Sequence, residues 1–289
     1  MRLPLLYFLA FGLLPAYAQN GTEIYQLDLT ERAGQLTLSN PRNVSDKPGY
    51  DNQPFFHPTK PLLYYTSMMA DGQTDIWSYD LNASTRTQLT RTPDSEYSPT
   101  VLPGERQFSC IVQRKANGDQ DLVRFDLDDP TKTALLLESQ KTGKIGYQAW
   151  LNIDEAVVFV LGEPATMHYI NRKTGRDTVI AGQIGRSLHR IPGQQAFSFV
   201  QQVGEKWMIR TYEPARNRVR DLTESPSTSD HYNAWTPGGL LLESRGTELW
   251  AFNPKTNAWK MVALPENLPK KKMTRLAVRK NGLAVVLDE

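Results

Sequence analysis

Few residues in this chain have the chemistry for catalysis, and they are scattered. The four histidines are His57, His168, His189 and His231. Imidazole ligates metals and titrates near neutral pH, so several rings converging on one point would give metal-assisted hydrolase or lyase chemistry. Three acids recur at one offset: Asp51, Glu96 and Asp230 each lie three residues before Pro54, Pro99 and Asn233. Such carboxylates could ring a cavity mouth and hold a cation, an amine or a basic peptide. Each could instead accept backbone N–H groups in its own loop, and that role alone explains the repetition. Tyr50, Tyr97, Tyr147 and Tyr232 accompany them. Tyrosines beside charges suit protein or peptide contact, because they bury a large area at little entropic cost; wedging between packed sheets would use them equally well. No local motif supplies a nucleophile or a phosphate cradle: Gly-x-Ser-x-Gly, His-Glu-x-x-His, Gly-x-x-x-x-Gly-Lys and Gly-x-Gly-x-x-Gly are all absent. Cys110 falls inside the apolar run Phe108 to Val112 and reads as a buried, inert thiol.

The elements that must position these residues follow from an internal repeat. Its clearest register is a strand ending in an aromatic and then Asp or Asn, seen in Asp75 to Leu81, Asp121 to Leu127 and Glu248 to Pro254. Weaker copies are Met167 to Asn171 and Met208 to Pro214, and a sixth is Glu23 to Leu29. Ahead of each of the five copies after the first runs a more apolar stretch of strand length, such as Leu62 to Ser67 or Gln107 to Val112, implying burial on both faces. A turn precedes each stretch, at Pro58, Pro103, Asn152, Pro192, Pro237 and Arg279. These six positions are spaced by roughly 40 to 50 residues, the period of a four-stranded propeller blade. Phe56, Trp150 and Trp235, two residues before the turn, should pack on the neighbouring blade.

The last unit supplies only two strands, Thr274 to Glu289. Its missing partners are Glu23 to Leu29 and Gln35 to Ser39. The expectation is therefore an all-β, six-bladed β-propeller of four-stranded antiparallel blades, closed by pairing the N- and C-terminal strands, with residues 22–40 and 273–289 sharing the closing blade. Such closure removes the sheet edges that invite aggregation.

Pro54-Phe55-Phe56-His57-Pro58, Tyr64 to Ser67, Asp71-Gly72 and the strand Asp75 to Leu81 resemble the repeat of TolB-type propellers. The resemblance is good over residues 52–92, moderate over 97–138 and 233–264, and faded over 144–224. No blade keeps the full Ser-Pro-Asp-Gly turn of that family. The family resemblance implies fold far more than activity. The α/β domain that precedes the propeller in TolB proper has no counterpart in this reading, so a role in the Tol assembly does not carry over.

Met1, Arg2, the apolar run Leu3 to Leu14 and Ala16-Tyr17-Ala18 have the pattern of a cleaved secretory leader, residues 1–18, leaving a single propeller domain over 19–289. No later segment is apolar enough to span a bilayer. A formal charge of +2 argues against nucleic-acid binding, with Lys270 to Lys272 a local exception that reads as a solvated loop. One cysteine allows no internal disulfide, so burial must hold the fold. Within the propeller frame, His168 lies on an outward-leaning strand and His57 at the far end of an innermost one. His189 and His231 lie at entrances to innermost strands. The expectation is a monomeric binding module of the periplasm or cell exterior, without cofactor or metal, taking a protein, peptide or glycan on a face containing Asp51, Glu96, Tyr97, Tyr147, His189, Asp230, His231 and Tyr232. The rival is a small-molecule hydrolase or lyase with a metal-assisted site in the axial funnel, using His189 or His231.

Overall fold

The structure, a computed structural model, describes residues 21–227 and 231–289. The expected leader and Asp230 lie outside these residues. Six four-stranded antiparallel sheets make a propeller. The innermost strands are Asp51–Phe56, Ser95–Val101, Ile145–Trp150, Ile184–Arg190, Asn233–Trp235 and Met273–Arg279, one in each of blades 1 to 6. Consecutive innermost strands touch one another around the axis, and the sixth touches the first.

Blade 6 closes the ring. Its strand Gly282–Asp288 pairs antiparallel with Thr22–Arg32, in the register Glu23 to Leu287, Tyr25 to Val285 and Leu27 to Leu283. The fourth strand, Gln35–Asn43, runs further than the expected Ser39. Asn43 pairs with Tyr25 across a register shift between Gln26 and Asp28.

The repeat has a local physical cause at the turns of blades 1, 2, 3 and 5. Asp80 Oδ1 accepts the backbone N–H groups of Asn82 and Ala83, and Asp126 Oδ1 those of Asp128 and Asp129. Asn171 and Asn253 cap the turns of blades 3 and 5 in the same way. A side-chain acceptor at the end of the third strand therefore fixes the hairpin that follows. The aromatic before it turns inward: Tyr79, Phe125 and Phe252 are buried.

Burial is organised as six apolar clusters, one between each pair of adjacent blades. The second strands are buried along nearly their whole length, as their continuous apolarity requires. The aromatics before the turns do reach the neighbouring blade. Trp150 Nε1 donates to Ser109 Oγ of blade 2 at 3.0 Å, and Trp235 Nε1 to Ser198 Oγ of blade 4 at 2.8 Å. Phe56 packs with Ile24, Ala284 and Val286 of blade 6. Cys110 is a free, buried thiol, and burial pushes its pKa well up.

Candidate functional site

Five of the six innermost strands begin irregularly, Asn233–Trp235 pairing without a shift. Register shifts fall between Asn52 and Phe55, Tyr97 and Thr100, Ile145 and Tyr147, Ile184 and Leu188, and Met273 and Arg275. Gln53, Ser98 and His231 take a left-handed φ of 56°, 55° and 51°. An extra residue in a strand bends it and re-aims the side chain that follows. The result is a girdle around the axis, to which the blades contribute Gln53, Ser98, Tyr147, Arg186, Tyr232 and Arg275 in turn.

Two cavities meet at this girdle. One, of about 440 Å³, opens on the face where the innermost strands begin. The other, of about 550 Å³, opens on the face where they end, among Pro58, Pro103, Trp150, Pro192 and Trp235. Gln53, Tyr147, Arg186, Tyr232 and Arg275 line both, so they form the waist of an axial passage. The entrance-face cavity adds Tyr50, Asn52, Tyr97, Gln113, Gln120 and Thr274. Its described walls carry two guanidiniums and no carboxylate, lysine or histidine.

Arg275 is the hub. Its Nη2 donates to Tyr147 Oη at 2.6 Å and, more loosely, to Tyr232 Oη at 3.4 Å. The guanidinium carbon lies 4.7 Å from the Tyr147 ring centroid and 4.4 Å from that of Tyr232, within cation–π range. Desolvation opposes the Arg275 charge, but Tyr147, Tyr232 and Tyr50 outweigh it and hold the pKa above its ordinary value. The Tyr147 phenol is lowered: burial raises it, and Arg275, Arg186 and a hydrogen bond from Gln53 more than compensate. Gln53 is fixed by Ser98 N–H and the Thr66 hydroxyl, both donating to its Oε1 at 2.8 Å, which leaves its amide nitrogen for Tyr147. Arg186 is exposed to the cavity and is kept charged chiefly by Tyr147, against desolvation. Neither arginine has a carboxylate in ion-pair contact among the described residues.

The expected site residues separate into three groups. Tyr97, Tyr147 and Tyr232 line the entrance-face cavity. Asp51 and Glu96 do not; both are fully buried. They occupy the place that blades 3, 4 and 6 give to Ile145, Ile184 and Met273, each buried between blades. Side chains alternate along a strand, so the acids turn into the blade while the residues after them turn toward the passage. The ring of carboxylates expected at the mouth is absent among the described residues, and Asp230 lies outside them. Burial lifts Asp51 to about 6; Ser67 is close enough to lower it partly, without hydrogen-bonding geometry. Burial lifts Glu96 to about 8, against a hydrogen bond from Thr92. Asp75 shares the Glu96 site, is itself raised by burial, and is held by Gln88 at 2.8 Å and Thr90 at 3.3 Å.

The histidines do not converge. His57 is buried in its turn, where Nδ1 accepts the backbone N–H groups of Thr59 and Lys60. His168 pairs with Asp177 on the outer strands of blade 3. His189 lines the opposite cavity rather than the entrance face, and burial lowers it to about 4. His231 is buried under Trp207, with ring centroids 4.5 Å apart. Its Nδ1 lies 2.8 Å from Ser225 Oγ, and that hydroxyl also bonds Glu243. Serine, histidine and acid are the residue types of a hydrolase triad, but here the serine stands between the other two and none of the three lines either cavity. No group of three or more metal-ligating side chains occurs among the described residues.

Arg186 and Arg275 were not among the expected site residues, although a sequence signal for them exists. Ile145-Gly146-Tyr147, Ile184-Gly185-Arg186 and Met273-Thr274-Arg275 share an apolar, small, axial-residue pattern.

No protein-family model matches the chain, and no curated protein matches it. Solved structures do resemble it. TolB from Acinetobacter baumannii superposes with a TM-score of 0.61 at 14% identity over 93% of this chain, which spans 65% of that one. A putative TolB from Agrobacterium tumefaciens gives 0.71 at 10% identity, covering 94% of this chain and 99% of its own. An oligogalacturonate lyase in complex with manganese gives 0.50 at 14% identity, covering 94% and 98%. In fold, the protein is a six-bladed β-propeller similar to those of the TolB structures; residues 21–227 and 231–289 form the blades and their connections, with no α/β domain among them. Among the described residues no helix is long and apolar enough to cross a membrane.

Proposed function

We propose that the protein is an exported, non-enzymatic binding propeller of the periplasm or cell exterior, taking a protein, peptide or glycan of the envelope on the face where the innermost strands begin. The carrying observation is the 440 Å³ cavity on that face, within the size range of ligand pockets and lined by Tyr50, Tyr97, Tyr147 and Tyr232. The leader pattern of residues 1–18 supports export. The test is capture from a bacterial envelope extract by the immobilised protein, run beside the double variant Tyr97→Ala/Gln113→Ala, which alters the cavity wall. A partner held by the wild type and lost by the variant supports this face; equal capture by both sinks it.

One observation favours the rival, a small-molecule hydrolase or lyase. His189 lines the 550 Å³ cavity, its Nε2 is buried with no partner among the described residues, and burial keeps the ring neutral, leaving a nitrogen that a ligand could engage. Turnover of an oligouronide or ester panel that disappears in His189→Ala would establish that activity, and an inactive wild type would remove it.

A further inference from the structure

Among the described residues, the entrance-face cavity is cationic at its base and neutral on its walls. Arg186 and Arg275 stand at the waist within reach of the same phenols, with no carboxylate among the described cavity walls. Two guanidiniums converging with no counter-ion among the described residues repel each other and bear the cost of partial desolvation. An anion placed between them would relieve both costs and accept charge-assisted hydrogen bonds from two planar forks. Tyr147 and Tyr232 already act in this sense by presenting ring faces and phenol oxygens to Arg275. Arg275 is thereby pinned, and Arg186, exposed to the cavity, keeps donors free for a ligand.

The walls narrow the class of ligand. Gln113 and Gln120 present amides, whose donors and acceptors match those of a peptide backbone, while the amides of Asn52 and Gln53 are engaged within the wall. Gln120 Oε1 and Thr274 Oγ1 have no partner among the described residues. A sugar ring would instead want a free aromatic face. Arg275 covers one face of Tyr147 and one of Tyr232, and Phe159 meets Tyr147 edge-on at 5.5 Å, so a sugar would have to stack on Tyr50 or Tyr97 instead.

We propose that this cavity is a carboxylate site for an acidic peptide segment, whose carboxylate lies between Arg186 and Arg275 while its backbone meets the amides of the wall. The proposal rests on the binding role given above and names its ligand class. The probes are acetyl-Glu-Ala-Glu-amide, its Gln-Ala-Gln counterpart, digalacturonate and inorganic phosphate, each titrated by calorimetry into the wild-type protein and into Arg186→Gln. Arg186 makes no ion pair among the described residues, so the variant should keep its melting temperature, which is measured alongside. The acidic peptide is expected to bind with 1:1 stoichiometry, and its amide counterpart and the variant to weaken binding by about 10- to 100-fold, the usual weight of a charged hydrogen bond. Equal binding of acidic and amide peptides, or no effect of Arg186→Gln, overturns the carboxylate assignment. Tighter binding of phosphate overturns it in favour of a phosphoryl group, and tighter binding of digalacturonate overturns the peptide class. If no acidic probe binds while envelope capture still depends on Tyr97 and Gln113, the carboxylate site fails and the binding face stands.

Discussion

Replacing Glu96 by Gln should make the protein less sensitive to alkali. Glu96 is fully buried beside Asp75, and burial holds its proton up to about 8 where an ordinary glutamic acid loses it near 4.5. Between those values the folded state binds a proton that the unfolded chain has released. Stability is therefore complete below about 4.5 and falls as the pH rises through about 8. One such proton gives a slope of about 1.4 kcal/mol per pH unit. Asp51 and Glu243, raised by burial to about 6 and about 7, act in the same direction, so the wild-type slope alone does not isolate Glu96. The difference between wild type and Glu96→Gln does. Glutamine keeps the size and stays neutral at every pH, so it removes the titration and little else. Urea titrations followed by tryptophan fluorescence, at several values between about pH 5.5 and 7.5, should show the variant losing ~2–3 kcal/mol less than the wild type across that range. Parallel pH profiles would refute the reasoning, because the Glu96 proton would then not be held by the fold.

Deleting residues 273–289 removes two strands of blade 6 and leaves Thr22–Arg32 and the walls of blades 1 and 5 uncovered. Aggregation by light scattering is expected, and a soluble monomer would contradict the closure. Ser198→Ala strands the buried Trp235 Nε1 and should cost ~1–3 kcal/mol in urea unfolding, whereas an unchanged midpoint would mean that the indole finds another acceptor. Cys110 should resist a thiol reagent at pH 8 until the protein unfolds; rapid labelling of the native protein would show the strand to be open.

The fold was legible because it is written in features that most blades repeat. The acceptor that ends the third strand, the buried second strand and the aromatic before the turn are each required by local geometry, so even the faded blade 4 kept Tyr212 and Pro192 in place. The site was less legible because nothing forces the blades to agree there. The blades contribute an amide, a serine, two tyrosines and two arginines to the girdle, and only the apolar-small pair before Tyr147, Arg186 and Arg275 repeats among them. The recurrent acids pointed to the right level of the strands and the wrong side of them. A bulge sets which neighbour faces the passage, and one residue of phase separates buried Glu96 from cavity-lining Tyr97. Arg275, the hub of the cavity, lay in a segment notable in sequence only for closing the ring.

That coincidence has a mechanical consequence. Arg275 belongs to blade 6, the blade assembled from distant parts of the chain, while Tyr147, Arg186 and Tyr232 belong to blades 3, 4 and 5 across and beside it. The waist is therefore a set of spokes from the seam to the rest of the wheel. An occupant gripped by Arg186 and Arg275 together would fasten the seam from inside, and would be released first wherever the seam parted. Ring opening and ligand release would then be one event, measurable as protection of the amides of Thr22–Arg32 from hydrogen exchange when the cavity is filled.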